Sequence, residues 1–315
     1  MSLIAEAPGF LQVFSDGAVV RTSHKTAACS TISPTFISKD ITIDPSKPIT
    51  ARIFLPSSSA PQLPLPLLLY FHGGGFCIGT TTWLGYHAFL GNLSATAGAI
   101  ILSVDYRLAP ENKLPTAYDD GYAALEWLSS NSEPWLEHAD LYRVFLAGDS
   151  AGGNIAHHVA VKSIETNIAN FTIRGLLPIH PYFGSEARTE LEVAEGSASE
   201  VAMNDMFWKL SLPEGADRDF YGCNFENREA EWSLFPATMV FVAGKDFLRE
   251  RGVMYANFLK KKGVENVSLV EAEEEKHVFH AWNPESEAAV LLQNQIKRFI
   301  KACDYKQAQS RICLI

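Results

Sequence analysis

Six apolar runs of strand length, Leu67–Phe71, Ala99–Asp105, Val144–Ala147, Gly175–Ile179, Met239–Val242 and Val267–Val270, are separated by stretches of helical period. A strand that is apolar along its whole length needs cover on both faces, so this alternation predicts a mostly parallel sheet flanked by helices. Helices are expected over Thr116–Ser129, Gly252–Lys262 and Glu285–Ala302, the last with Ala289, Leu292, Ile296 and Phe299 at helical spacing. Pro115 stands where a helix starts. With 315 residues, 47% hydrophobic and 20% charged, the chain suffices for one large α/β core or two modest domains, and length does not choose between them.

Two regions break the rhythm. Residues 1 to about 62 are turn-rich, with an expected hairpin at Asp16-Gly17 and a surface loop at Ser57-Ser58-Ser59-Ala60-Pro61. From Gly184 to about Leu234 the sequence is acidic, Ser-rich and aromatic, which reads as an inserted lid rather than another strand–helix unit. No internal repeat or low-complexity tract is apparent.

Charge and cysteine usage exclude several function classes. Twenty-six Lys and Arg against 36 Asp and Glu give a net charge of −10, with no basic stripe, so nucleic acid and anionic membrane are poor partners. The five cysteines (Cys29, Cys77, Cys223, Cys303, Cys313) are far apart and lack CxxC spacing, which indicates neither a disulfide framework nor a zinc site and suits a reducing compartment. The first residues lack a basic stretch followed by an apolar one, and no apolar run approaches the ~18 residues of a membrane span. A cytoplasmic protein is the expectation, in which the Asn-x-Ser/Thr matches at Asn92, Asn170 and Asn266 are idle. Cys313 is third from last, not the fourth a prenylation box needs, and the tail is expected to fray. The residues carry no signal of oligomeric state.

Chemistry concentrates in two glycine-rich turns. Gly148-Asp149-Ser150-Ala151-Gly152 follows an apolar strand and opens a helical stretch, the context in which G-x-S-x-G marks a nucleophile. The turn is too tight for a Cβ on either side of the serine, whose hydroxyl is left exposed at the helix N-terminus. His72-Gly73-Gly74-Gly75-Phe76 follows another strand, and its uncovered backbone N–H groups, at Gly74 and Gly75 with that of Ala151, are suited to hold an oxyanion. The loop lacks the Gly-Lys-Ser/Thr or G-x-G-x-x-G of a phosphate cradle.

A serine needs a base and a group to orient it, expected later in the chain in the order acid, then histidine. Asp246 follows one strand in Ala243-Gly244-Lys245-Asp246-Phe247-Leu248, and His277 follows the next in Lys276-His277-Val278-Phe279-His280. Spacing leaves His277 and His280 almost even as the base. Glu273, Glu274 and Glu275 read better as a solvated acidic loop than as the orienting carboxylate. Phe207 and Trp208 are suited to line a pocket, although aromatics at helical spacing more often belong to the core.

Through His72–Phe76, Ser103-Val104-Asp105-Tyr106-Arg107-Leu108-Ala109-Pro110-Glu111, Gly148–Asn154, Gly244–Leu248 and His277–Phe279, the chain resembles the plant carboxylesterases of the hormone-sensitive-lipase-like branch of the α/β-hydrolase superfamily. The resemblance implies an α/β-hydrolase fold over residues 1–315, with a helical cap from about 1–35 and about 184–234. It implies Ser150 as nucleophile, Asp246 as orienting acid and His277 as base, the family's His-x-Phe pattern preferring His277, with Gly74, Gly75 and Ala151 as oxyanion donors. Asp105-Tyr106-Arg107 and Tyr118-Asp119-Asp120 match the family too and are expected to make ion pairs and turn bonds beneath the site. The expected activity is hydrolysis of small-molecule esters through an acyl-enzyme, with no metal or organic cofactor. Two other functions share the branch: a hormone receptor, disfavoured because its base histidine is replaced whereas His277 is intact, and a lyase or cyclase of specialised metabolism, compatible with the same triad.

Overall fold

The computed structural model describes residues 2–30, 32–57, 64–130, 133–168 and 171–312, with backbone alone at 130 and 305–312. Three short strands open the chain, β1 (Leu3–Ala7), β2 (Leu11–Phe14) and β3 (Val19–Arg21), as a separate antiparallel sheet. Asp16-Gly17 turns β2 into β3 as expected: Gly17 has φ +88°, and the Phe14 N–H donates to the Ala18 carbonyl at 2.9 Å. Strands β4 (Phe36–Asp44) and β5 (Ile49–Pro56) follow and pair antiparallel.

Every apolar run then becomes a strand: β6 (Leu65–Phe71), β7 (Ile100–Asp105), β8 (Ala139–Asp149), β9 (Ile173–Ile179), β10 (Ala237–Ala243) and β11 (Val267–Ala272). The sheet order is β11-β10-β9-β8-β6-β7-β5-β4, and all neighbours from β11 to β7 are parallel. Strand β5 runs antiparallel to both β7 and β4 at the edge.

Helices α1 (Leu84–Ala97), α2 (Thr116–Ser130) and α3 (Ala151–Thr166) alternate with the strands. Residues 184–234 contain α4 (Glu190–Val193), α5 (Ala198–Ser211) and two 3-10 turns, with no strand among the described residues. The chain closes with α6 (Arg249–Lys261), the short α7 (Phe279–Trp282) and α8 (Glu287–Ile312). The last helix runs beyond the expected Ala302. Cys313, most of the Ser57–Pro61 loop and Asn170 lie outside the described residues.

Side chains alternate across a strand, so β6 serves two cores at once. Leu67, Leu69 and Phe71 pack with α2, α3 and α6, whereas Leu68 and Tyr70 pack with α1 and α8 on the opposite face. All five are essentially unexposed. The expected ion pair beneath the site is present: Arg107 grips Asp120 through its guanidinium at 2.6 Å and its backbone N–H at 2.9 Å. Asp105 accepts the Thr81 N–H at 2.8 Å. Among the described residues no helix is long and apolar enough to cross a membrane.

Candidate active site

Strand β8 ends at Asp149, and the chain enters α3 through Ser150, whose φ of +52° and ψ of −121° hold a non-glycine residue in left-handed backbone space. The surroundings impose that conformation. The Ser150 N–H donates to the Ile179 carbonyl at 2.9 Å, and the Ser150 carbonyl accepts the N–H groups of Gly153 and Tyr182 at 3.0 and 2.9 Å. Gly152 is required because a Cβ there would run into the Phe71 carbonyl oxygen.

Asp246 and His277 follow the ends of β10 and β11, so three parallel strands deliver three side chains to the C-terminal end of the sheet. His277 Nε2 lies 3.0 Å from Ser150 Oγ, and His277 Nδ1 lies 2.7 Å from Asp246 Oδ2. Asp246 Oδ1 accepts the Leu248 N–H at 2.8 Å, which fixes the carboxylate from its other side. Burial works against charge on His277, but the Asp246 charge and hydrogen bond outweigh it and hold the imidazole above its usual range. Burial likewise opposes the Asp246 carboxylate, and the facing His277 keeps it below the usual carboxylate range.

His280, even with His277 by spacing, takes no part. It is fully buried with its ring 4.5 Å from that of Phe89. Val278 separates the two histidines in left-handed backbone with φ +54°. Of the acidic loop, Glu274 pairs with Lys245, and among the described residues no glutamate bonds His277.

Gly74 and Gly75 carry φ +116° and +56°, and both line the cavity that holds Ser150 and His277. The Gly74 carbonyl accepts the Cys77 and Ile78 N–H groups at 3.0 Å. Among the described residues, no hydrogen bond occupies the N–H of Gly74, Gly75 or Ala151. Ala151 is the first residue of α3, where an N–H has no helical acceptor.

Several participants are absent from the motifs. Tyr70 and Tyr86 donate to the two oxygens of the buried Asp149 carboxylate at 2.7 and 2.8 Å, and the Tyr86 hydroxyl also accepts the Gly73 N–H at 2.9 Å. His180 Nδ1 accepts the Val278 N–H at 3.0 Å, and burial pushes its pKa down to about 3, leaving the ring neutral as an acceptor must be. The available signal was a histidine placed directly after a fully apolar strand.

The cavity measures about 1290 Å³. Phe10 from the N-terminal region, Met203 and Phe207 from α5, and Trp83 and Trp282 line it. Trp208 does not: it is fully buried and stacks on Tyr182 with centroids 4.4 Å apart. His180, Asp246 and His277 bring potential metal-ligand atoms within 4.8 Å of one another. Their facing atoms are engaged with each other and with the Val278 N–H.

Residues 68–281 match the model of a family described as alpha/beta hydrolase fold. A relative from Arabidopsis thaliana named "Probable carboxylesterase 6" is 38% identical over 79% of this chain and 77% of its own length. Tuliposide A-converting enzyme 1, chloroplastic, from Tulipa gesneriana is 36% identical over 95% of this chain and 78% of its own. A hyperthermophilic esterase from the archaeon Pyrobaculum calidifontis superposes with TM-score 0.72 at 29% identity, covering 84% of this chain and 83% of that one. With a family match across most of its sheet and plant relatives at this identity, the chain belongs to the α/β-hydrolase fold family, among its plant carboxylesterases.

Proposed function

We propose that this chain hydrolyses carboxylic esters of small molecules through an acyl-enzyme on Ser150. The observation that carries this reading is the unbroken line from Asp246 through His277 to Ser150 Oγ, with bonds of 2.7 and 3.0 Å, facing a large cavity. Ser150 Oγ attacks the ester carbonyl while His277 Nε2 takes its proton. Asp246 holds the Nδ1–H tautomer and stabilises the imidazolium. The N–H groups of Gly74, Gly75 and Ala151 receive the tetrahedral oxyanion, an environment in which one donor is worth roughly 10²–10³ in rate. His277 then protonates the departing alcohol, and water attacks the acyl-enzyme with His277 again as base.

Residues of about 1–35 and about 184–234 form the cap in this reading, since Phe10, Met203 and Phe207 wall the cavity from those two segments. The partner is a small ester, nucleic acid and membrane are not partners, and the compartment is the cytoplasm; the net charge of −10 favours the exclusion of nucleic acid.

Ester turnover with product analysis tests the proposal. The purified protein is expected to convert p-nitrophenyl butanoate to butanoate and p-nitrophenol, and a fluorophosphonate probe is expected to label Ser150 and stop turnover. Absence of both across acetyl to octanoyl esters overturns the reading in favour of a binding protein, and an eliminated or cyclised product in favour of a lyase or cyclase.

A further inference from the structure

The turn that carries Gly74 and Gly75 does not hold itself. These two and the non-glycine Phe76 are consecutive in left-handed backbone space, Phe76 with φ +64°. Such a run persists only where its surroundings fix it. Within the turn, the Gly74 carbonyl accepts the Cys77 N–H at 3.0 Å. That carbonyl shares one planar peptide with the Gly75 N–H, so the position of Cys77 sets the direction of that donor.

Cys77 is held in turn from the N-terminal hairpin. Arg21, the last residue of β3, donates from Nε to the Cys77 carbonyl at 2.7 Å and from Nη2 to the Ala109 carbonyl at 2.8 Å. The Ala109 N–H donates to the Phe76 carbonyl at 2.9 Å, so one guanidinium braces both segments that meet behind the glycine loop. Its other edge grips Glu111, with Nη1 to Oε1 at 2.7 Å and Nη2 to Oε2 at 2.6 Å. The Glu111 side chain is 44% exposed, and an ion pair so open to water adds little stability. A two-pronged carboxylate does fix the plane of the guanidinium, and so aims Nε at Cys77. Both Ala109 and Glu111 belong to the Ser103–Glu111 motif, for which the triad itself has no use.

Resting on the ester-hydrolase reading, we infer that Arg21, clamped by Glu111, is a positioning residue that aims the Gly75 N–H at the oxyanion. The N-terminal hairpin thereby serves the oxyanion hole as well as covering the cavity.

Comparing substrate affinity with affinity for a tetrahedral adduct in Arg21→Met tests this. Hexyl trifluoromethyl ketone is the probe: Ser150 Oγ adds to its carbonyl carbon, the hydroxyl proton passes to His277 Nε2, and the former carbonyl oxygen becomes the oxyanion. The variant is expected to lose about ten-fold in kcat for p-nitrophenyl butanoate and about ten-fold in ketone inhibition, with KM within about two-fold of wild type. Glu111→Gln keeps Arg21 but loosens its clamp; it is expected to show the same pattern at about three-fold, and carries the test if Arg21→Met does not fold. Unchanged kcat and inhibition, or a kcat loss with inhibition unchanged, overturns the assignment. A rise in KM alone also overturns it, since Arg21 would then hold only the cover of the cavity. Ketone inhibition of Ser150 labelling by a fluorophosphonate that weakens as expected, in a protein that hydrolyses no p-nitrophenyl ester, overturns the hydrolase reading and leaves the role of Arg21 standing.

Discussion

The Tyr86 hydroxyl donates to the Asp149 carboxylate at 2.8 Å while accepting the Gly73 N–H at 2.9 Å, and so ties the residue before Ser150 to the residue before Gly74. One oxygen fixes the nucleophile turn relative to the glycine loop. The Tyr70 hydroxyl, at 2.7 Å, holds the other Asp149 oxygen but does not touch the loop.

That difference separates two variants. Tyr86→Phe leaves both a buried N–H and a carboxylate oxygen short of a partner and is expected to destabilise the fold by about 1–3 kcal/mol. It also frees the glycine loop, so kcat is expected to fall about ten-fold with KM little changed. Tyr70→Phe is expected to lower the melting temperature with kcat nearly retained. Equal kcat losses in the two variants would contradict a positioning role for Tyr86.

His277→Ala is expected to lower turnover by about 10⁶-fold, as other triad knockouts do. His280→Ala is expected to retain turnover while losing stability, because its ring fills a fully buried site against Phe89. Reversed outcomes would move the base to His280.

Activity requires neutral His277, so it is present above the folded pKa of that ring and lost as pH falls through it. Asp246 holds that pKa above the usual histidine range, so the acid limb of kcat/KM is expected at higher pH than an unperturbed imidazole would give. Asp246→Asn removes the charge, and the limb is expected to move to lower pH with a rate loss of about 10⁴-fold. A limb whose midpoint is unmoved by the substitution would refute the pairing.

Buried histidines lower stability on the same acid side. Burial pushes His157 and His180 to about 3, whereas an unfolded histidine titrates near 6.5. As pH falls below 6.5 the unfolded chain binds protons that the folded chain refuses, costing about 1.4 kcal/mol per pH unit for each ring until pH nears 3. Urea midpoints between pH 7 and 4.5 are expected to show this slope, and His157→Gln is expected to flatten it. An unchanged slope in that variant would rule His157 out as a source.

Arg251 of α6 and Glu192 of α4 form a doubly bonded ion pair at 2.8 Å, both side chains being 3% exposed or less. Arg251→Ala strands a buried carboxylate and is expected to cost about 3–5 kcal/mol, while Arg251→Met with Glu192→Leu recovers most of it. Chemical denaturation of the wild type and these two variants measures both effects, and a double variant no more stable than Arg251→Ala would show that the two residues do not act as a pair.

The central strands were legible because burial on both faces demands unbroken apolar sequence. Strands β4 and β5 were not, because Lys39, Asp40 and Arg52 interrupt them, and only the folded edge shows Arg52 paired with Asp40 at 2.7 Å. The nucleophile and glycine turns were legible because tight backbone admits few residues. His277 and His280 were indistinguishable by spacing, since the left-handed Val278 between them is what sends one ring to Ser150 and the other into the core. Phe207 and Trp208 are adjacent on a helix and point about 100° apart, so one meets the cavity and the other is buried. The Tyr70–Asp149–Tyr86 bonds join residues 63 to 79 apart in sequence, a pairing no local pattern encodes.

Turnover of p-nitrophenyl butanoate by Ser150→Ala, compared with wild type at matched folding, bears most directly on the account. A loss on the order of 10⁶-fold with an unchanged circular dichroism spectrum is the expected result. Near-wild-type turnover by the folded variant would contradict Ser150 as the nucleophile.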